Sequence, residues 1–188
     1  ANRYEALLIF DEVQTGLGVT GTLWAYEQTS VTPDLICFGK KTQVCGIMST
    51  RRIDEIETNV FHTSGRINST WGGNLTDMVR CARYLEIIDE DGLVENAAIV
   101  GAHLKEGLNE LSGDFASVTN VRGAGLLVAM DLPSGEVRNR VWQGCWDRGL
   151  AVLACGPRSI RLRPPFVFSE EQAAEALGTL REVLEDLG

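Results

Sequence analysis

Two residues of this chain stand where a side chain can do covalent and acid–base work. Asp11 follows the apolar run Ala6-Leu7-Leu8-Ile9-Phe10, and Lys40 follows Leu35-Ile36-Cys37-Phe38-Gly39. Such runs read as short buried strands, which puts both functional groups at strand C-terminal ends. They are 29 positions apart, a spacing that suits adjacent βα units. A lysine there can condense with an aldehyde to a Schiff base. A carboxylate there can hold a pyridine nitrogen protonated, so that the ring accepts the electron pair left by a lost proton. Plainer readings exist for each, since an Asp after a strand commonly caps a turn and a lysine is commonly surface charge. A second chemistry competes. Leu7-Leu8-Ile9-Phe10-Asp11-Glu12 also fits the strand whose acids hold Mg²⁺ in an ATPase, although Gly39-Lys40-Lys41-Thr42 has only the tail of the phosphate loop G-x-x-x-x-G-K-[ST]. On these residues alone both readings stay open.

The elements that must position these groups follow from the hydrophobic pattern. After Asp11 the chain forms a loop around Gly16, Gly18 and Gly21, and residues 46–50 read as a third short strand before the charged turn Arg51-Arg52. Short apolar strands alternating with longer segments predict a parallel α/β layer, in which ligands collect beyond the carboxyl ends of the strands. From residue 74 to 111 apolar residues recur at helical spacing (Val79, Ala82, Leu85, Ile88, then Leu93, Ala97, Val100, Leu104, Leu108, Leu111), with a break expected at Asp89-Glu90-Asp91-Gly92. Residues 118–132 read as strands around Gly123 and Gly125, residues 136–148 as a helix and residues 151–168 as strand-like. A last amphipathic helix opens on the capping box Ser169-Glu170-Glu171-Gln172. On the strand Ile160-Arg161-Leu162-Arg163 the period of two puts both arginines on one face, and Pro164-Pro165 ends it. The tail from residue 112 reads as a small domain of its own, and the run at residues 6–10 lacks flanking strands, so the chain is expected to be the C-terminal part of a larger protein.

Composition narrows the function classes. A formal net charge of -9 over 188 residues, with no basic run, argues against a nucleic-acid partner. No stretch approaches the ~18 apolar residues of a membrane span. Cys37, Cys45, Cys81, Cys145 and Cys155 are too widely spaced for a disulfide framework or zinc site, and His62 and His103 add no metal site. Reduced cysteines and the lack of an export signal predict a cytoplasmic protein.

Four separated motifs carry a resemblance: Asp11-Glu12-Val13-Gln14-Thr15-Gly16, Phe38-Gly39-Lys40-Lys41, Asn68-Ser69-Thr70-Trp71-Gly72-Gly73-Asn74 and Ile160-Arg161-Leu162-Arg163-Pro164-Pro165. In this order, over essentially the whole chain, they resemble the class III aminotransferases, which are fold type I pyridoxal 5'-phosphate (PLP) enzymes. The resemblance implies an α/β fold: residues 1–75 as the C-terminal part of the PLP-binding large-domain sheet, 76–111 as connecting helices, and 112–188 as an α+β small domain. It implies PLP as cofactor and no metal. Asp11 would pair with the pyridinium nitrogen and Gln14 would hydrogen-bond the phenolic oxygen. Lys40 would form the Schiff base and then shuttle a proton, with Lys41 a surface lysine. Thr70 would bind the phosphate of the partner subunit's cofactor, making a homodimer with shared active sites, and Arg161 would bind a substrate carboxylate. Against these stand plain readings of Gln14 and Thr70 as loop residues and of Trp71 as a packed aromatic. Gly39-Lys40-Lys41-Thr42-Gln43-Val44-Cys45-Gly46 and the Asn68–Asn74 motif look like the members that use lysine, and depart from the lysine–alanine form of ornithine-using members. That implies transfer of the terminal amino group of L-lysine to 2-oxoglutarate, giving 2-aminoadipate 6-semialdehyde and glutamate, with ornithine or 4-aminobutyrate as the alternative donor. The family's phosphate-cradling turn and ring-stacking aromatic are not in this chain.

Overall fold

The computed structural model describes residues 1–67 and 70–187, so Asn68 and Ser69 of the third motif lie outside the described residues. The chain divides into two compact units, Ala1–Gly18 with Thr22–Asp91, and Val19–Gly21 with Gly92–Gly188.

The first unit is built on a three-stranded sheet of β1 (Ile9–Asp11), β2 (Leu35–Phe38) and β3 (Gly46–Ser49), in that order. β1 and β2 are parallel, with Ile9 opposite Leu35 and Asp11 opposite Cys37. β3 runs antiparallel to β2, which corrects the all-parallel expectation. The reason is length: seven residues separate Phe38 from Gly46, and a parallel crossover needs a dozen or more. The first strand is also shorter than its apolar run, starting only at Ile9. Ahead of it Leu8 is held by Asp34, whose Oδ2 accepts from the Leu8 amide at 2.7 Å and from Arg52 at 3.0 Å. Trp24 packs edge-on to Phe38 at 6.3 Å and so close to Gly16 that a Cβ there would come within 2.6 Å of its ring.

Asn74 caps α1 (Leu75–Glu90), its Oδ1 accepting from the Thr76 amide at 2.9 Å. α1, described throughout, buries none of its residues. Leu75, Met78 and Val79 form an apolar stripe at helical spacing, and Leu75 is 78% exposed. Trp71, just before it, is 79% exposed and is therefore not a packed aromatic.

The second unit contains α2 (Leu93–Asp114), β4 (Thr119–Ala124), β5 (Leu127–Asp131), α3 (Gly135–Asp147), β6 (Leu153–Cys155), β7 (Ser159–Leu162) and α4 (Glu170–Glu185). Its four strands form one antiparallel sheet in the order β4-β5-β7-β6. Leu104, Leu108 and Leu111 of α2, Leu180 of α4, Val128 and Met130 of β5 and Ile160 of β7 are almost wholly buried in one core. Each contributes about 1.5–3 kcal/mol by leaving water. The predicted strand-like stretch at 151–168 resolves into β6 and β7 joined by a turn. The capping box at α4 is formed: Ser169 Oγ accepts from the Gln172 amide at 3.2 Å, and Gln172 Oε1 accepts from the Ser169 amide at 3.0 Å. Val19–Gly21 lies against the β4–β5 turn, where the Leu126 amide donates to the Val19 carbonyl at 2.8 Å. Gly125 in that turn has φ +53, and a Cβ would sit 2.5 Å from the Thr20 backbone, so no other residue fits there. Among the described residues no helix is long and apolar enough to cross a membrane, no metal-holding cluster occurs, and the five cysteines are free.

Candidate active site

Asp11 ends β1 and Cys37 stands opposite it on β2, so Lys40, three residues further on, leaves the sheet at the same edge. The Asp11 carboxylate is exposed and turns its Oδ1 to the Val13 amide at 3.1 Å. An open cleft of about 300 Å³ adjoins it, lined by Phe10, Asp11, Glu12, Thr15 and Tyr26 among others. The neighbouring acid does the reverse. Glu12 is only 3% exposed, and its carboxylate accepts from the Tyr26 amide at 2.8 Å, the Ala25 amide at 3.1 Å and the Thr15 hydroxyl. Three donors on one buried carboxylate fix the loop after β1 and with it the direction of Asp11. Sequence reasoning gave Glu12 no role of its own in this site. The available signal was the pair of consecutive acids at a strand end, of which alternation sends one inward.

Lys40 opens a single 3₁₀ turn, Lys40–Thr42, and its φ of 54° is left-handed. That conformation costs a non-glycine residue about 1–2 kcal/mol, and it persists only where the surroundings over-determine it. Here Gln43, itself left-handed at φ 60°, closes the turn. Its amide and its Nε2 both donate to the Lys40 carbonyl, at 3.0 and 3.1 Å. Before the turn Gly39 is extended, and a Cβ on it would lie 2.9 Å from Cys45 Sγ, so the glycine makes room for the returning chain. The Lys40 side chain is exposed. Lys41 is not the surface lysine expected: it is half-buried, and its Nζ donates to the Gln14 carbonyl at 2.7 Å. Asp11, Gln14 and Lys40 thus share one edge of the sheet, with Lys41 joining the two loops that carry them.

Thr70 belongs to the same unit, exposed in the turn ahead of the Asn74 cap. Arg161 belongs to the second unit, on β7 between Ala129 of β5 and Leu153 of β6. Ile160 and Leu162 face the core, and Arg161 takes the opposite face, half-buried. Its Nε is buried and has no hydrogen-bond partner among the described residues. A buried donor left so costs about 1–3 kcal/mol, which an anion bound there would relieve. Arg163 lies beyond the end of β7 and is exposed. On the same sheet Asp131 is buried and accepts from Ser159 Oγ at 2.6 Å, Asn120 Nδ2 at 3.0 Å and Arg122 at 2.8 Å. The Ser159, Asn120 and Arg122 hydrogen bonds hold its carboxyl down at about 2, against the opposing effect of burial.

Comparison with known proteins converges on one family. The model of the family described as "Aminotransferase class-III" matches residues 1–184. An L-lysine-epsilon aminotransferase of Mycobacterium tuberculosis is 50% identical over 184 residues, covering 97% of this chain and 41% of that protein. An acetylornithine aminotransferase of Bacillus cereus is 33% identical over 183 residues, covering 97% of this chain and 47% of that protein. The solved structure of a lysine aminotransferase from M. tuberculosis superposes with a TM-score of 0.94 at 48% identity, covering 100% of this chain and 43% of that one. The chain therefore spans less than half the length of the relatives it matches. The match over residues 1–184 overturns the ATPase reading of the first strand.

Proposed function

This chain belongs to the class III aminotransferases, and from that premise we propose that it works in the PLP-dependent transfer of the terminal amino group of L-lysine to 2-oxoglutarate. The products are 2-aminoadipate 6-semialdehyde and glutamate. The observation that carries the reading is Lys40, held in a left-handed turn at the sheet edge that Asp11 also occupies. Lysine as donor rests on the higher identity to the lysine-named relative than to the acetylornithine-named one.

The residues fit the cofactor. Asp11 keeps an open carboxylate at the sheet edge, and Arg161 carries an unsatisfied buried donor suited to a carboxylate. Asp11, Gln14, Lys40 and Thr70 would hold PLP. Once bound, PLP supplies an aldehyde carbon for amine exchange and a protonated ring that accepts an electron pair. Asp11 keeps the ring nitrogen protonated through a charge-assisted hydrogen bond, and Gln14 donates to the phenolic oxygen. The Lys40 amine, when not engaged covalently, would carry the proton between the substrate's amine-bearing carbon and the aldehyde carbon of the cofactor. Arg161 grips the carboxylate remote from the reacting carbon. Lysine and 2-oxoglutarate both have one, so a single guanidinium fork serves both half-reactions. Thr70 reaches the phosphate in a partner subunit, which makes the assembly a homodimer with shared sites. Residues 1–75 then serve as part of the cofactor domain, 76–111 as connecting helices and 112–188 as the small domain, in a cytoplasmic enzyme with reduced cysteines.

Borohydride reduction of the holoenzyme followed by peptide mapping tests the assignment. The pyridoxyl group is expected on Lys40, and Lys40→Ala should abolish both labelling and transamination. Labelling of Lys41 instead overturns the site. For the substrate, kcat/KM with 2-oxoglutarate should be highest for lysine. A higher value for ornithine or 4-aminobutyrate moves the enzyme to the alternative donor.

A further inference from the structure

We propose that Lys41 is a positioning residue, whose ammonium ties the turn carrying Lys40 to the loop carrying Gln14 and so holds the Lys40 amine ready for cofactor capture. The inference rests on the reading of Lys40 as the cofactor's anchor.

Lys40 needs such a brace because its backbone is left-handed, a conformation that a β-carbon disfavours. Two of the contacts that stabilise the turn are local: the Gln43 amide and Nε2 both return to the Lys40 carbonyl. Thr42, 3% exposed, turns its hydroxyl to the Val44 carbonyl at 2.5 Å, which tightens the exit of the turn. These bonds fix the shape of the turn but not its place relative to the end of β1. The Lys41 bond spans 27 positions and joins the turn to the segment that follows Asp11. That segment is already rigid, because the buried Glu12 carboxylate gathers Thr15, Ala25 and Tyr26. The strand ladder ends at Asp11 and Cys37, and Lys41 carries the register on into the two loops beyond it. At 2.7 Å with a charged donor, the bond belongs to the strong class of hydrogen bonds. The Lys40 side chain is left exposed, while its neighbour, of the same chemical type, is half-buried. The two lysines divide the work: Lys41 spends its amine on the protein and Lys40 keeps its amine for the carbonyl compound.

Two measurements test this. In apoprotein, amine acylation mapped by mass spectrometry should modify Lys40 at least about tenfold faster than Lys41, because a bonded, half-buried ammonium is a poor nucleophile. Equal rates overturn the tether. Second, the rate at which added PLP becomes reducible onto Lys40 is followed in Lys41→Met and Lys41→Arg. Misplacement of a reacting group by about 1 Å costs up to roughly a hundredfold, so Lys41→Met should capture PLP roughly ten- to a hundredfold more slowly. Lys41→Arg, which keeps a charged donor for the Gln14 carbonyl, should recover much of the rate. Capture at the wild-type rate in both variants, or equal slowing in both, overturns the proposal. If Lys41→Met does not fold by circular dichroism, Lys41→Gln takes its place in the same comparison, and the acylation pattern of the unaltered protein decides independently. Labelling of the wild-type protein at a residue other than Lys40 would fault the anchor assignment, which is a separate result from a failed Lys41 comparison.

Discussion

Arg161 presents the sharpest test at the scale of single residues. Its strand neighbours Ile160 and Leu162 are committed to the core, and its own Nε is buried without a partner, so the side chain is built around a bond the described protein does not make. A hydrogen bond to a charged group contributes about 1.5–3 kcal/mol. Arg161→Ala should therefore raise KM for both the amine donor and 2-oxoglutarate by roughly ten- to a hundredfold. The absorbance of the bound cofactor should not change. Arg161→Lys should recover little, since a point charge lacks the planar fork. Arg163→Ala should be much milder, and if it alone raises KM the clamp is one pleat further along. The arginine itself was legible in the alternation of residues 160–163, whereas its buried, unpaired Nε depends on β5 and β6 closing over both sides, which no local pattern records. Glu12 and Lys41 were obscured in the same way. Lys41 looks like ordinary surface charge in sequence and Glu12 like one of two strand-end acids, and each is drawn inward by acceptors or donors from segments more than ten positions away.

At the scale of elements, the bulge of β4 is held by one buried carboxylate. β4 shifts register against β5 between Thr119 and Arg122, and Asn120 there is left-handed at φ 51°. Asp131 collects Asn120, Arg122 and Ser159 around that irregularity, which ties β4 to β7 across β5. Its carboxyl is lowered from 3.8 to about 2, so the stability it adds is complete above the ordinary carboxylate range and is lost as pH falls from about 4 toward 2. The shift corresponds to roughly 2 kcal/mol. Urea unfolding should show Asp131→Asn less stable than wild type by that order at pH 6, with the gap closing by pH 2. A gap that does not change with pH would mean that the amide loses packing rather than charge. Helix limits were the most legible elements: the Ser169 capping box and the break after Glu90 both follow from local chemistry. Strand direction was the least legible. Apolar content at residues 46–49 marks a strand without marking its sense, which the short connection from Phe38 decides.

At the scale of the whole molecule, Thr70 links the chain to a second copy in the proposed shared-site dimer. Mixing Lys40→Ala subunits with Thr70→Ala subunits, each inactive alone, should restore up to about a quarter of wild-type activity. Random pairing makes half the dimers mixed, and one site in each mixed dimer keeps both residues. Absence of any restoration after denaturation and reassembly would place Thr70 outside the partner's site. The apolar stripe of α1 has a consequence of another kind, for the colloidal behaviour of this chain. Leu75, Met78, Val79 and the nearby Trp71 offer a sticky surface, and a net charge of -9 is the long-range force opposing contact between copies. That repulsion reaches about 10 Å at 0.1 M salt and about 3 Å at 1 M, whereas attraction between apolar faces is not screened. Concentrated salt weakens the charge repulsion and leaves the stripe in place, so light scattering from this chain should rise with salt concentration.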